Sequence, residues 1–147
     1  MLEDIIQQDI KAAMLAKDSV ALASVRAIKA AILLAKTAEN GKPVDDAEIV
    51  KIIQKLVKQR KESAEIYSQQ NRPELADNEL AEVAVMERYL PKQLSEAEIE
   101  EALKGIIAQV GATSMAEMGK VMGTATKALA GQADGKVISA LVRKLLA

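Results

Sequence analysis

The sequence contains no cysteine and no histidine. Without cysteine there can be no disulfide, no thiol nucleophile and no cysteine-ligated zinc. Without histidine the chain lacks the commonest general base and the commonest ligand of transition metals. It also has no phosphate-binding loop and no dinucleotide-binding fingerprint. These absences argue against an active site, and we expect no catalytic residue, no metal and no cofactor.

Aromatic residues are scarce too, with two Tyr and no Phe or Trp among 147 residues. Half of the chain is hydrophobic, so the core must be built from Leu, Ile, Val, Ala and Met. Three prolines and seven glycines leave long uninterrupted stretches, and apolar residues recur along them at helical spacing. The sequence therefore predicts an all-α fold of about seven helices without a sheet.

Long apolar runs are missing as well. No stretch approaches the roughly 18 residues that a membrane span needs. The first residues are amphipathic and acidic, unlike the basic and apolar regions of a signal peptide. We therefore expect a cytoplasmic protein that has no membrane partner.

A proline and a capping motif divide the predicted helices into two groups. Pro91 ends a helix, and Ser95 with Glu98 has the spacing of a capping box that starts the next one. We predict an N-terminal domain of long helices, arranged as a hairpin-like bundle, over residues 1–90. A compact three-helix domain is predicted over residues 95–147.

The charge of the chain also differs between its N-terminal and C-terminal parts. Residues 1–103 have a net charge of −5, whereas residues 104–147 have a net charge of +4. The chain therefore has a basic C-terminal end.

Two predicted helices of the N-terminal domain carry a charged residue on an apolar row. Arg60 interrupts the row of the third helix, and Glu79 interrupts that of the fourth. In an antiparallel hairpin Arg60 lies level with Glu82 and one turn from Glu79. Charges on packed faces must be paired or must reach solvent, so we predict an ion pair between Arg60 and one of these glutamates. A ligand-binding role for Arg60 is the alternative.

The sixth predicted helix contains two glycines one turn apart, Gly119 and Gly123, beside Lys120 and Lys127. Each glycine costs a helix about 1 kcal/mol relative to alanine. The methionines of this helix are assigned to the core, with the glycines on its flank. A strip with almost no side chains permits a close approach, either by another helix or by a sugar-phosphate backbone. The RNA-binding candidates are Gly119, Lys120, Gly123 and Lys127, with Lys136, Arg143 and Lys144 on the outward side of the seventh helix.

Several segments, taken in order, resemble the YqeY family over nearly the whole chain. They are VRAIKAAI, KLVKQRKESAEIY, NRPELADNELAE, YLPKQLSEAEIEE, GATSMAEMGKVMG and LAGQADGKVISALV. This family is similar in fold to the C-terminal tail of the B subunit of the glutamine-dependent aspartyl/glutamyl-tRNA amidotransferase, which helps to hold tRNA. The resemblance implies a two-part helical fold and a role linked to tRNA. The family pattern falls on Arg60, Tyr67, Arg72, Glu79, Pro91, Gly119, Lys120, Gly123, Gly131, Asp134 and Gly135.

Three hypotheses follow for the function. The first is a non-catalytic accessory protein that binds tRNA, weakly and in a salt-sensitive manner, and does not bind DNA. The second is a helical interaction module that docks on an amidotransferase or a translation protein. The third is a carbon–nitrogen ligase with glutamine as amide donor, which the resemblance suggests but which the lack of histidine and cysteine argues against.

Overall fold

The computed structural model describes residues 1–38 and 43–147. Over these residues it contains seven α-helices, one short 3₁₀ helix at Met115–Glu117 and no strand, which confirms the predicted all-α fold. The helices are α1 (Leu2–Leu15), α2 (Ser19–Lys36), α3 (Asp46–Gln69), α4 (Pro73–Glu87), α5 (Glu96–Val110), α6 (Met118–Ala128) and α7 (Gly135–Leu146).

Side-chain caps start several of these helices. The Asp45 carboxylate accepts a hydrogen bond from the Glu48 amide at the start of α3. At the start of α5, Ser95 and Glu98 form a complete capping box. Hydrogen bonds from the Ser95 backbone and side chain hold the pKa of the Glu98 carboxyl below its usual range. Ser114 makes no such cap, and the 3₁₀ turn precedes α6 instead.

The chain divides into two compact units, Met1–Leu90 and Pro91–Ala147. The core of the first unit is aliphatic and takes side chains from α1, α2, α3 and α4. Isoleucines dominate it: Ile28 and Ile53 are completely buried, and Ile6, Ile32 and Ile49 nearly so. Four helices therefore converge on a single core that contains no aromatic ring among its fully buried members.

Tyr89 fastens the end of α4 to α1. Its hydroxyl donates a hydrogen bond of 2.5 Å to the Asp9 carboxylate. Burial, together with this hydrogen bond, raises the pKa of Tyr89 well above its ordinary value. The phenol therefore stays protonated at physiological pH and keeps its role as a donor.

The α3–α4 hairpin contains the pair of charges expected from the sequence. Arg60 Nη2 lies 3.9 Å from Glu82 Oε1, and the two side chains are 20% and 13% exposed. The Arg60 Nε atom is buried and has no hydrogen-bond partner. The ion pair thus neutralises two largely desolvated groups without satisfying every donor.

The second unit has its own aliphatic core, formed between α5, α6 and α7. Residues 91–94 belong to this unit rather than to a free linker. The Leu94 amide donates to the Gln132 carbonyl at 3.0 Å. The Gln93 side-chain amide donates to the carbonyls of Pro91 at 2.9 Å and Gly131 at 2.7 Å. These bonds fasten the segment before α5 to the loop between α6 and α7.

The Arg60–Glu82 pair can be tested by a double-mutant cycle. Arg60→Met or Glu82→Met alone leaves one largely buried charge without its partner, and we expect each to lower the free energy of unfolding by about 1–3 kcal/mol. The double substitution removes both charges and should restore stability to within about 1 kcal/mol of the wild type. Chemical denaturation measures all four proteins, and strictly additive effects would contradict the pairing.

The Gln93 contacts predict a local effect on the second unit. Gln93→Ala removes two partly solvated hydrogen bonds, so that we expect amide protection in the second unit to fall by roughly 1 kcal/mol. Hydrogen exchange reports on both units at once. Amides of Leu103 and Val142 should exchange faster while that of Ile28 does not change, and an equal effect on Ile28 would contradict the assignment.

Candidate nucleic-acid interface

The core-facing side of α6 is set by small residues. Val121 and Ala125 are completely buried, and Leu129 is nearly so. Met118 and Met122 only pack at the edge of this core, and Met115 is 43% exposed. The expectation that the methionines form the core face was therefore wrong for Met115. The buried side of α6 is therefore centred on Val121 and Ala125. It is offset from the predicted row of methionines by less than one residue step of about 100° around the helix.

With this side of α6 buried, the glycine strip lies in solvent. Gly119 and Gly123 are exposed, and a Cβ atom built on either would meet nothing within 4 Å. Neither glycine needs its conformational freedom, because neither has a positive φ. The interpretation in which the strip packs against another helix of the same unit is thus wrong for the residues that the structure describes.

The strip and its flanking lysines line one shallow groove. It is lined by Gly119, Lys120, Gly123, Thr124, Lys127 and Ala128, and the side chains of both lysines are exposed. The Thr124 hydroxyl donates to the Lys120 carbonyl at 3.3 Å within the helix. Four of the seven candidate residues from the sequence are therefore brought together on α6.

The other three candidates lie on α7 and do not line this groove. Lys136, Arg143 and Lys144 are all exposed. Lys144 Nζ lies 4.0 Å from Glu100 Oε1 of α5, so that part of its charge is offset within the unit. Arg143 stands in the last turn of α7, where a cation also interacts favourably with the helix dipole.

The groove offers an anion electrostatic attraction to two lysines and a close approach to the helix. Both lysines are solvated, and no carboxylate lines the groove. Among the described residues, no group of three or more acidic side chains could hold a metal ion. No helix in the described ranges is long and apolar enough to cross a membrane. The arrangement offers an anion two ammonium groups beside an open stretch of helix backbone.

Several residues of the family pattern have a structural explanation instead. Gly131 adopts a positive φ of 79°, which favours glycine. The Asp134 carboxylate accepts a hydrogen bond from the Lys136 amide at 3.0 Å and so caps α7. Pro91 begins the second unit, and its carbonyl accepts from Gln93. No equivalent explanation accounts for Gly119 and Gly123.

Comparison with known proteins identifies relatives over most of the chain. A relative from Meyerozyma guilliermondii, named "Altered inheritance of mitochondria protein 41, mitochondrial", is 37% identical over 108 residues. That alignment covers 71% of this chain and 56% of the relative. Proteins of the same name from Lachancea thermotolerans and Pyrenophora tritici-repentis are each 29% identical.

The extent of these matches differs between relatives. The Lachancea alignment covers 71% of this chain and 57% of that protein, and the Pyrenophora alignment covers 96% and 78%. The chain thus spans a little over half the length of the first two relatives. The family model described as "Yqey-like protein" matches residues 3–146. From this match over nearly its whole length, the chain belongs to the YqeY family.

Proposed function

We propose that the protein is a non-catalytic accessory factor that binds tRNA through the groove on α6. The observation that carries the proposal is the pair of open glycines, Gly119 and Gly123, beside two exposed lysines. The two glycines together cost α6 about 2 kcal/mol of helix propensity. Neither packing nor a positive φ requires them. The same is true of Gly105 on α5, so the proposal rests on the place of Gly119 and Gly123 beside two lysines in one groove and not on the open space alone.

The chemistry of the groove favours RNA backbone over base recognition. Lysine is a flexible point charge that contacts phosphate without reading sequence. Lys136 and Arg143 add positive charge to the same unit, whose residues 104–147 carry a net charge of +4. Binding should therefore be modest in affinity, broad across tRNAs and sensitive to salt. The resemblance to the amidotransferase tail supports tRNA as the polyanion.

The proposal applies in more than one compartment. The relatives are named as mitochondrial proteins, whereas a cytoplasmic location is our proposal for this chain. Both compartments contain tRNA, so the binding chemistry is the same in each. An amidotransferase or another translation protein would be a second partner of the same complex in this proposal.

The lysines give the first test. We expect Lys120→Ala and Lys127→Ala each to weaken tRNA binding and to lower the slope of log affinity against log salt by about 0.7–0.9, the loss expected for one phosphate contact. Filter binding between low and moderate salt measures both quantities. Lys55→Ala is the matched control, because Lys55 is an exposed helical lysine of the first unit. Wild-type protein that binds no tRNA even at low salt would overturn the proposal.

The glycines give the second test, with Gly105 as an internal control. Gly105 is also helical and exposed, and a Cβ atom there would likewise meet nothing within 4 Å. Gly123→Val and Gly105→Val should both leave the fold intact, since neither fills occupied space. We expect only Gly123→Val to weaken tRNA binding, by about tenfold if it removes one charge-assisted contact. Circular dichroism checks the fold, and equal affinity of the two variants would contradict the close approach.

A further inference from the structure

An open cleft in the first unit is lined by residues of α1, the start of α2 and the end of α4. Its volume of about 540 Å³ falls in the range of roughly 300–1,000 Å³ that is usual for small-molecule sites. Both α1 and α4 pack against α2, and the hydrogen bond from Tyr89 to Asp9 links two residues of the lining. This α1 cleft shares no residue with the groove on α6.

Aliphatic side chains make up most of the lining. Eight of the twelve lining residues are alanine, valine, leucine or isoleucine. On α1 the lining positions Leu2, Ile5, Asp9 and Ala12 are three or four residues apart, so that they lie on one face of the helix. This face runs for about 15 Å, at about 1.5 Å per residue. It places one carboxylate within a largely apolar stripe.

The lining reaches from solvent to the first core. Ala12 and Ala16 are exposed, whereas Ala13 and Val25 are buried, at 6% and 2% exposure. A hydrocarbon chain that enters the cleft therefore loses contact with water, which favours binding in proportion to its apolar area.

The Asp9 carboxylate lies in this cleft without a cation beside it. It is half-buried, and its Oδ2 atom accepts the hydrogen bond from the Tyr89 hydroxyl. Burial raises the pKa of Tyr89, so this partner is a neutral phenol. Among the described residues, no ammonium or guanidinium nitrogen lies within 4.0 Å of Asp9, and its Oδ1 atom accepts no hydrogen bond. A partly desolvated carboxylate of this kind favours a cationic partner.

The other charged residues of the lining leave the cleft negative. Asp18 and Arg88 are both exposed. The Asp18 carboxylate already accepts a hydrogen bond of 3.0 Å from the Ala21 amide. Two carboxylates and one guanidinium give the lining a net charge of −1. Asp9 is therefore the carboxylate with an acceptor atom to offer.

We propose that the α1 cleft binds a small aliphatic amine in its protonated form. The ammonium group donates a charge-assisted hydrogen bond to Asp9 Oδ1, and the hydrocarbon chain lies along the alanines and Val25. The Tyr89 hydroxyl holds the carboxylate in place from the other oxygen. The proposal concerns the first unit alone and does not depend on the function proposed for α6.

The n-hexylammonium ion is the probe, titrated into the full-length protein and followed by amide chemical shifts. We expect shifts at the amides of Asp9, Ala12 and Val25 and none at Gly123 of α6. Hexanol carries the same chain without the charge and should bind at least about tenfold more weakly. Propylammonium is three methylenes shorter and should also bind at least about tenfold more weakly, because each buried methylene contributes to affinity.

Matched variants separate the carboxylate and the cleft from their surroundings. Asp9→Asn keeps an oxygen acceptor for Tyr89 and should weaken hexylammonium binding by about tenfold or more. Asp4→Asn is its control, because Asp4 is an exposed carboxylate of the same helix outside the cleft. Ala12→Leu fills the cleft and should block binding. Ala23→Leu is its control, since Ala23 is exposed on α2 and does not line the cleft.

The variants at alanine also need an intact fold. Ala12 and Ala23 are both exposed, so both leucine variants should keep the circular dichroism spectrum and melting temperature of the wild type. Arg88→Gln should strengthen hexylammonium binding, because it removes the only positive charge of the lining.

Several results would overturn the proposal. One is the absence of hexylammonium shifts in the cleft, and another is an equal loss of affinity in the Asp4→Asn or Ala23→Leu control. Hexanoate that binds as well as hexylammonium would make the cleft an anion site at Arg88. Norleucine that binds more tightly, and loses affinity in Arg88→Gln, would make the ligand a zwitterion. A lysine-bearing helical peptide that binds where hexylammonium does not would make a partner protein the occupant.

Discussion

The structure depends on packing helices around cores that are built from aliphatic side chains, because the chain has almost no aromatic residues. A Phe or Trp ring fills a wide gap between helices, whereas Ile, Val and Ala fill a narrow one. The first core is accordingly dominated by isoleucines such as Ile28 and Ile53, and the second has Val121 and Ala125 at its centre. Each helix can then hide only one stripe of its surface, and the outward faces are left to charges, glycines and a few aliphatic residues.

The two units use those outward faces differently. In the first unit the hairpin end is acidic, since residues 62–82 contain six acidic side chains and one basic side chain, Arg72. In the second unit the outward face of α6 is bare and basic, with Lys120 and Lys127 beside the glycine strip. The charge polarity of the sequence is thus present in the fold as an acidic hairpin end in the first unit and a basic helix face in the second.

The fold was largely predictable from the sequence because helical periodicity and capping are local signals. The spacing around Ser95 and Glu98 predicted a capping box that the structure contains. Ser114 and Glu117 have the same spacing as Ser95 and Glu98, but a 3₁₀ turn forms there and the Ser114 side chain caps nothing. Tertiary packing turned α6 toward Val121 and away from Met115. Periodicity identifies a helix more reliably than it identifies which of two adjacent stripes is buried.

Glycines in this chain have separate physical causes, and the difference bears on function. Gly111 and Gly131 have positive φ angles, which L side chains adopt only with strain. Gly119 and Gly123 have neither a positive φ nor a neighbour within 4 Å. Alanine at either position would raise helix stability by about 0.5–1 kcal/mol with no steric penalty. Folding alone would favour alanine there, and the proposed approach of an RNA backbone to α6 supplies a physical reason for glycine that the fold does not. Gly105 is equally open, so the lysines beside Gly119 and Gly123, and not open space alone, distinguish these two glycines.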